Sequence, residues 1–159
     1  MMTVTILAVG KLGEPFWVQA AAEYEKRLRA FCKIQVVELE EYRLPGKPSP
    51  ADIAKAIEKE GRDILAKIPP KARVVSLCIE GKPISSPDFA AFLADTAGIT
   101  SQLVIVIGGS HGLWGDIKQK SDLRLSFSPM TFPHQLARIM ALEQVYRGFS
   151  IGAGLPYHK

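Results

Sequence analysis

The chain predicts an α/β fold, a mostly parallel sheet flanked by helices. Three observations predict it. Short apolar runs at Thr3–Val9, Ile34–Leu39, Arg73–Ile79 and Leu103–Ile107 alternate with segments of helical period. Leu103–Ile107 is an uninterrupted apolar run rich in β-branched residues, which a strand buried on both faces requires. That run ends on Gly108-Gly109, and ligands of open α/β sheets bind beyond the carboxyl ends of the strands. The strand-to-glycine junction is therefore the first candidate site. A length of 159 residues suits one domain spanning 1–159, large enough to bury a real core.

Thr3–Val9 alternates and then runs apolar, as a buried first strand does, and Gly10–Gly13 turns it into a helix opened by Glu14 and Pro15. Trp17, Ala20, Ala21, Tyr24, Leu28 and Phe31 recur at helical spacing, a packing stripe. The second strand, Ile34–Leu39, leads into a Pro-rich charged loop from Glu40 to Ser49, long for such a domain. Ser49-Pro50 predicts the cap and first turn of a helix to about Lys67, with Ile53, Ile57, Ile64 and Ile68 along one side. Pro69-Pro70 closes it. After the third strand, Arg73–Ile79, comes a turn at Glu80-Gly81-Lys82-Pro83. Ser86-Pro87-Asp88 predicts a capped helix to about Thr96, stopped by Gly98. Beyond the fourth strand, Gly115–Ser121 suits a short helix, Leu123–Phe127 a fifth strand and Pro133–Phe149 a last long helix. Leu136, Met140, Val145, Tyr146 and Phe149 are its packing candidates.

The composition, 47% hydrophobic and 23% charged, is that of a soluble globular protein, and no apolar run reaches the length of a membrane span. The N-terminal MMTVTILAVG has no basic leader and reads as a strand, so the expected location is the cytoplasm. Cys32 and Cys78 form neither a disulfide framework nor a metal-ligand spacing, and free, buried or half-buried thiols are expected. A net charge of +4 leans modestly toward an anionic partner such as nucleic acid.

Several chemistries are disfavoured. The Gly-Lys pairs at Gly10, Gly46 and Gly81 are followed by Leu, Pro and Pro, where a phosphate-cradling loop needs Ser or Thr. At the first strand-to-helix turn, Gly10-Lys11-Leu12-Gly13 is not GxGxxG, which argues against a dinucleotide enzyme and against methyltransferases with a Gly-rich loop after strand one. His111, His134 and His158 lack metal spacing, and no metal is expected.

Gly108-Gly109-Ser110-His111-Gly112, Leu125-Ser126-Phe127-Ser128-Pro129-Met130-Thr131-Phe132-Pro133-His134, Arg138, Glu143, Tyr146-Arg147 and the terminal Pro156-Tyr157-His158 resemble one family. It is the ribosomal RNA large-subunit methyltransferase H family of the SPOUT superfamily, and the likeness runs from the ILAVGK of the first strand to the terminal YHK. This resemblance implies N3-methylation of a pseudouridine in 23S rRNA with S-adenosylmethionine, on the assembled ribosome. It also implies a homodimer whose C-terminal part forms a trefoil knot, a rare exception to chain-connection rules.

Carried over by position, the resemblance implies cofactor binding by Leu77, by Gly108 and Gly109, and by Phe127, Ser128, Pro129, Met130, Thr131 and Phe132. Each stands at a predicted strand end, where backbone groups can surround an adenine and ribose while Leu77 and Met130 offer apolar faces. Relatives commonly carry an acidic residue directly after this leucine, where this chain has Cys78. Glu80, two residues on, points to the same side of an extended strand and either substitutes for it or is an ordinary strand-end residue.

An imide nitrogen must lose a proton before it attacks, so a neutral histidine suits the base and a guanidinium suits the charge growing on the ring carbonyls. His158, Tyr157 and Arg138 are the catalytic candidates, with Tyr157 stacking on the base or hydrogen-bonding to it. Glu143 and Arg147 have the spacing of an ion pair, and His134 reads as a helix-start residue. Lys26, Arg27, Arg29, Lys33, Arg43 and Lys47 are spread over the first third, and a second protomer would help complete an RNA site. The first and last helices, rich in aromatic residues, are the expected dimer surfaces. Two other readings stay open at this stage, a non-catalytic RNA-binding module and a SPOUT enzyme acting on another rRNA or a tRNA.

Overall fold

The computed structural model describes residues 1–159. Ten elements follow one another: β1 (Thr3–Val9), α1 (Pro15–Leu28), β2 (Lys33–Leu39), α2 (Pro50–Lys67), β3 (Arg73–Lys82), α3 (Ser86–Ile99), β4 (Gln102–Ile107), α4 (Gly115–Lys120), β5 (Leu123–Leu125) and α5 (His134–Gly152). The strands form one sheet in the order β2-β1-β4-β3-β5, and every neighbouring pair is parallel. An α/β sheet flanked by helices is thus what the sequence specifies. No helix is long and apolar enough to cross a membrane.

The central strands explain the unbroken apolar runs. On β1, Val4, Ile6 and Ala8 face a core built with α1, α3 and α5, whereas Leu7 and Val9 face a second core shared with α2 and α4. On β4, Leu103, Ile105 and Ile107 belong to the first core, and Val104 and Val106 belong to the second. Both faces are covered, so alternation disappears. At the edge, β2 keeps Lys33, Gln35 and Glu38 exposed and buries none of its residues fully.

Local chemistry sets the helix ends. Ser49 caps α2 as expected, its hydroxyl accepting from the Asp52 amide while Asp52 accepts from the Ser49 amide, a complete capping box. For α3 the cap is Ser85, not Ser86, because its side chain accepts from the Asp88 amide and Pro87 falls inside the first turn. Gly98 does not stop α3, which runs to Ile99 before Thr100 turns extended. β3 continues past Ile79 to Lys82, shifting register so that Leu77 and Lys82 both pair with Leu125. β5 is correspondingly shorter than expected: Ser126 and Phe127 leave the sheet, with the Ser126 amide held by the Lys82 carbonyl at 3.1 Å.

Aromatic residues of α1, of the turn that follows it and of α5 meet within the chain. Phe31 stacks on Phe149 with ring centres 5.9 Å apart and meets the edge of Tyr146 at the same distance, and Tyr24 also approaches Tyr146. Part of the aromatic surplus expected at a dimer surface is used in this packing, while Phe16 remains exposed on α1. Urea unfolding should show Leu142→Ala, which empties a fully buried position on α5, losing about 2 to 5 kcal/mol. Ser49→Ala, which removes only the α2 cap, should cost about 1 kcal/mol with an unchanged denaturant slope.

Candidate active site

The carboxyl ends of β3, β4 and β5 surround a cavity of about 880 Å³. Leu77 reaches it from β3, Gly108 and Gly109 from the loop after β4, and Phe127, Ser128, Met130, Thr131 and Phe132 from the loop after β5. Of the cofactor positions singled out in the sequence, Pro129 alone does not line it, and Met130 stands at the mouth with 72% of its surface exposed.

Each wall has a local cause. A Cβ on Gly108 would lie 2.8 Å from the Gly112 carbonyl oxygen and 2.9 Å from its carbon, so the loop folds back only because no side chain intervenes. Gly112 has φ +92°, a left-handed conformation that favours glycine, and its amide donates to the Gly109 carbonyl to close the turn. After β5, the Ser126 hydroxyl donates to the Ser128 carbonyl at 3.1 Å, and the Ser128 hydroxyl accepts from the Met130 amide at 3.0 Å. These short-range bonds shape the second loop without strand pairing.

Polar groups not assigned from sequence also reach the cavity. His111 and His134 both line it, His134 from the first position of α5. Cys78 and Glu80 line it from β3 and Lys118 from α4. Glu80 pairs with the Lys118 ammonium, which holds its carboxyl below the usual range. Burial pushes the half-buried Cys78 thiol up, so it carries little thiolate at neutral pH, and the fully buried Cys32 is pushed up to about 11 for the same reason. The nearest signal in the sequence was the β3 strand end, where Glu80 already stood out.

The three catalytic candidates separate into two places, neither of which lines the cavity of this chain. Arg138 is 2% exposed. Its Nη1 donates to Glu38 Oε2 at 2.6 Å and its Nη2 donates to the Gly10 carbonyl at 2.9 Å, while Nε has no partner. The expectation that it meets substrate carbonyls gives way to a different placement, because β2 supplies a carboxylate at the depth of α5. Tyr157 and His158 lie together on the outer face of α5. The Tyr157 hydroxyl donates to Glu143 Oε1 at 3.1 Å, and Arg147 forms the expected ion pair with Glu143 at 2.6 Å. Arg147 Nη1 lies 3.1 Å from His158 Nδ1, and its guanidinium lies over the Tyr157 ring, 4.6 Å from the centre. A guanidinium only donates, so Nδ1 accepts and a neutral His158 ring carries its hydrogen on Nε2.

Partial burial and the bond to Glu143 push the Tyr157 phenol up to about 12. The folded chain holds this proton more tightly than the unfolded chain, whose ordinary value is 10.0. Its contribution to stability is therefore complete below pH 10 and is lost as pH rises through about 12. An ultraviolet titration of the four tyrosines should show one phenol ionising near pH 12, and Tyr157→Phe should remove that late step.

A glycine-walled cavity beyond the ends of parallel strands, with no phosphate loop and no glycine fingerprint after β1, narrows the family to those that bind at this place. A protein-family model described as "Predicted SPOUT methyltransferase" matches residues 2–158. The match covers the three strand ends, both cavity loops and the whole of α5, and on it the chain belongs to the SPOUT methyltransferase family.

Proposed function

We propose that this methyltransferase uses S-adenosylmethionine to methylate N3 of a pseudouridine in 23S rRNA, acting in the cytoplasm on the assembled large ribosomal subunit as a homodimer. One observation carries the reading. Leu77, Gly108 and the loop after β5, the positions to which the likeness to the ribosomal RNA large-subunit methyltransferase H family assigns the donor, converge on one cavity. The trefoil knot implied by that likeness belongs to the same proposal.

The cavity fits such a cofactor. Its volume, about 880 Å³, lies within the roughly 300 to 1,000 Å³ of small-molecule sites. Leu77, Ile107, Leu125 and Phe127 would hold the adenine among apolar side chains, and the peptide groups around Gly108 would meet its polar edges. Glu80 and Lys118 would bind the charged or hydroxylated parts. When bound, the sulfonium supplies an already activated methyl group.

The chain's own groups then have to orient the nucleobase and accept its imide proton. His158 takes that proton, and it has a free ring nitrogen for this only after Nδ1 leaves Arg147. Tyr157 stacks on or hydrogen-bonds the base. Arg147, released from His158, faces the charge growing on the ring carbonyls. Arg138 is a positioning residue, tying α5 to the loop after β1 through Gly10 and to β2 through Glu38. The docking of Tyr157 and His158 outside their own cavity supports a dimer in which the tail of one protomer serves the cavity of the other. Exposed Lys26, Arg27, Arg29, Lys33, Arg43 and Lys47 supply phosphate contacts.

Ribosomes lacking the modification, incubated with the enzyme and isotope-labelled S-adenosylmethionine, should acquire label in 23S rRNA at N3 of a pseudouridine, read by nuclease mapping and mass spectrometry. His158→Ala should lower turnover by about a hundredfold or more with cofactor affinity unchanged. Label in tRNA or at another rRNA position would replace the substrate. RNA binding with no transfer to any RNA would favour a non-catalytic module.

A further inference from the structure

α2 carries a carboxylate where its pattern calls for an apolar side chain. Its buried residues are Ala56, Glu60, Gly61 and Ile64, and Glu60 is only 8% exposed. A buried carboxylate is costly unless hydrogen-bonded, and the reaction just described makes no use of it. Its contacts lead to the back of the cofactor cavity. Glu60 Oε2 accepts from the Tyr42 amide at 2.8 Å, fixing the start of the long loop between β2 and α2. Next to it, Glu41 Oε1 accepts from the Ser110 hydroxyl at 3.0 Å. A Cβ on Gly109 would begin 3.4 Å from Glu41 Oε1 and 3.5 Å from Glu60 Oε1, so both carboxylates pack directly behind the glycine loop.

The same stretch of α2 grips the far end of that loop. Gly61 leaves room for the Trp114 side chain, whose Cβ and Cε3 would lie 2.6 Å from any Cβ placed there, and the Arg62 guanidinium lies over the Trp114 ring at 5.2 Å. Gly109 and Ser110 line the cavity, and Trp114 caps the N-terminus of α4, whose Lys118 also lines it. Glu60, Gly61 and Arg62 therefore clasp the loop from Gly109 to Trp114 at both ends. On the near side, the Glu40–Ser49 loop is the strap between them, stiffened where the Lys59 ammonium lies 4.6 Å from the centre of the Tyr42 ring.

We infer that Glu60 is a positioning residue for cofactor binding: through the Tyr42 amide and Glu41 it sets the strap against Ser110 and presents the Gly108–Gly112 backbone to the cavity. This rests on the cofactor reading of the cavity. It assigns the long loop between β2 and α2 a role in donor affinity, separate from the RNA contacts of its basic residues.

The test compares wild type, Glu60→Leu and Glu60→Gln by calorimetric titration with S-adenosylmethionine and by steady-state transfer to ribosomes. The glutamine keeps an acceptor oxygen for the Tyr42 amide. Glu60→Leu should raise the dissociation constant and KM for the cofactor about tenfold, the scale of one lost buried hydrogen bond. At saturating cofactor, kcat and KM for ribosomes should stay near wild type, and Glu60→Gln should recover most of the affinity. In wild type, cofactor binding should slow hydrogen exchange of the Tyr42 amide together with the amides of the Gly108–Gly112 loop, a readout that does not depend on either variant folding. Unchanged exchange at Tyr42, wild-type affinity in Glu60→Leu, or equal losses in both variants would overturn the inference while leaving the cofactor reading intact. Absence of cofactor binding by the wild-type chain would overturn both.

Discussion

The geometry of the site depends on β1 and β4 lying side by side, buried on both faces and pointing the same way. A parallel pair with both faces covered cannot turn back through a hairpin, so each strand must leave the sheet at the same edge and cross a helical layer. Backbone that leaves a sheet loses its ladder partners and has to find others. Along this edge it does so through glycine and serine: Gly112 donates to the Gly109 carbonyl, Ser126 donates to the Ser128 carbonyl, and the Ser126 amide turns to Lys82. The cavity is the space these three self-satisfied strand ends enclose.

Arg138 is what relates α5 to that edge. A guanidinium at 2% exposure is tolerable because Glu38 accepts one arm and the Gly10 carbonyl another. This ties α5 to β2 and to the turn after β1, where the His134 ring also packs 3.2 Å from the position a Gly10 Cβ would take. Further along the same helix, Glu143 gathers Arg147, Tyr157 and Gln144 on the outer surface. One helix thus reaches the cavity with its first turn and holds Tyr157 and His158 from its second half, through Glu143 and Arg147. In the dimer proposed above, the two jobs on α5 serve different cavities.

Much of the fold was legible because burial on both faces and helical period leave local signatures. The β4 run, the Ser49 cap and the glycine pair could be read without knowing any partner. The two loops that wall the cavity were legible as strand ends, whereas Leu77 entered only through the family likeness. What remained hidden depended on residues far apart in the chain. Arg138 finds Glu38 across 100 positions and Ser110 finds Glu41 across 69, and no local pattern encodes such pairings. The extension of β3 to Lys82 was masked by Gly81 and Pro83, which read as a turn, whereas in the fold they accompany a shift of register against Leu125. Glu60 was hidden by its own helix, since one charge on an apolar stripe looks like an interruption until its neighbours are known.

The function proposed above seats the methyl donor in the cavity at the ends of β3, β4 and β5. Its most direct test is equilibrium binding of S-adenosylmethionine to the wild-type chain and to Gly108→Ala, whose added methyl group meets the Gly112 carbonyl at 2.8 Å. Saturable binding of one cofactor per chain is expected, weakened by about tenfold or more in Gly108→Ala as the loop is forced outward. Wild-type affinity in Gly108→Ala, or no binding by the wild-type chain, would contradict it.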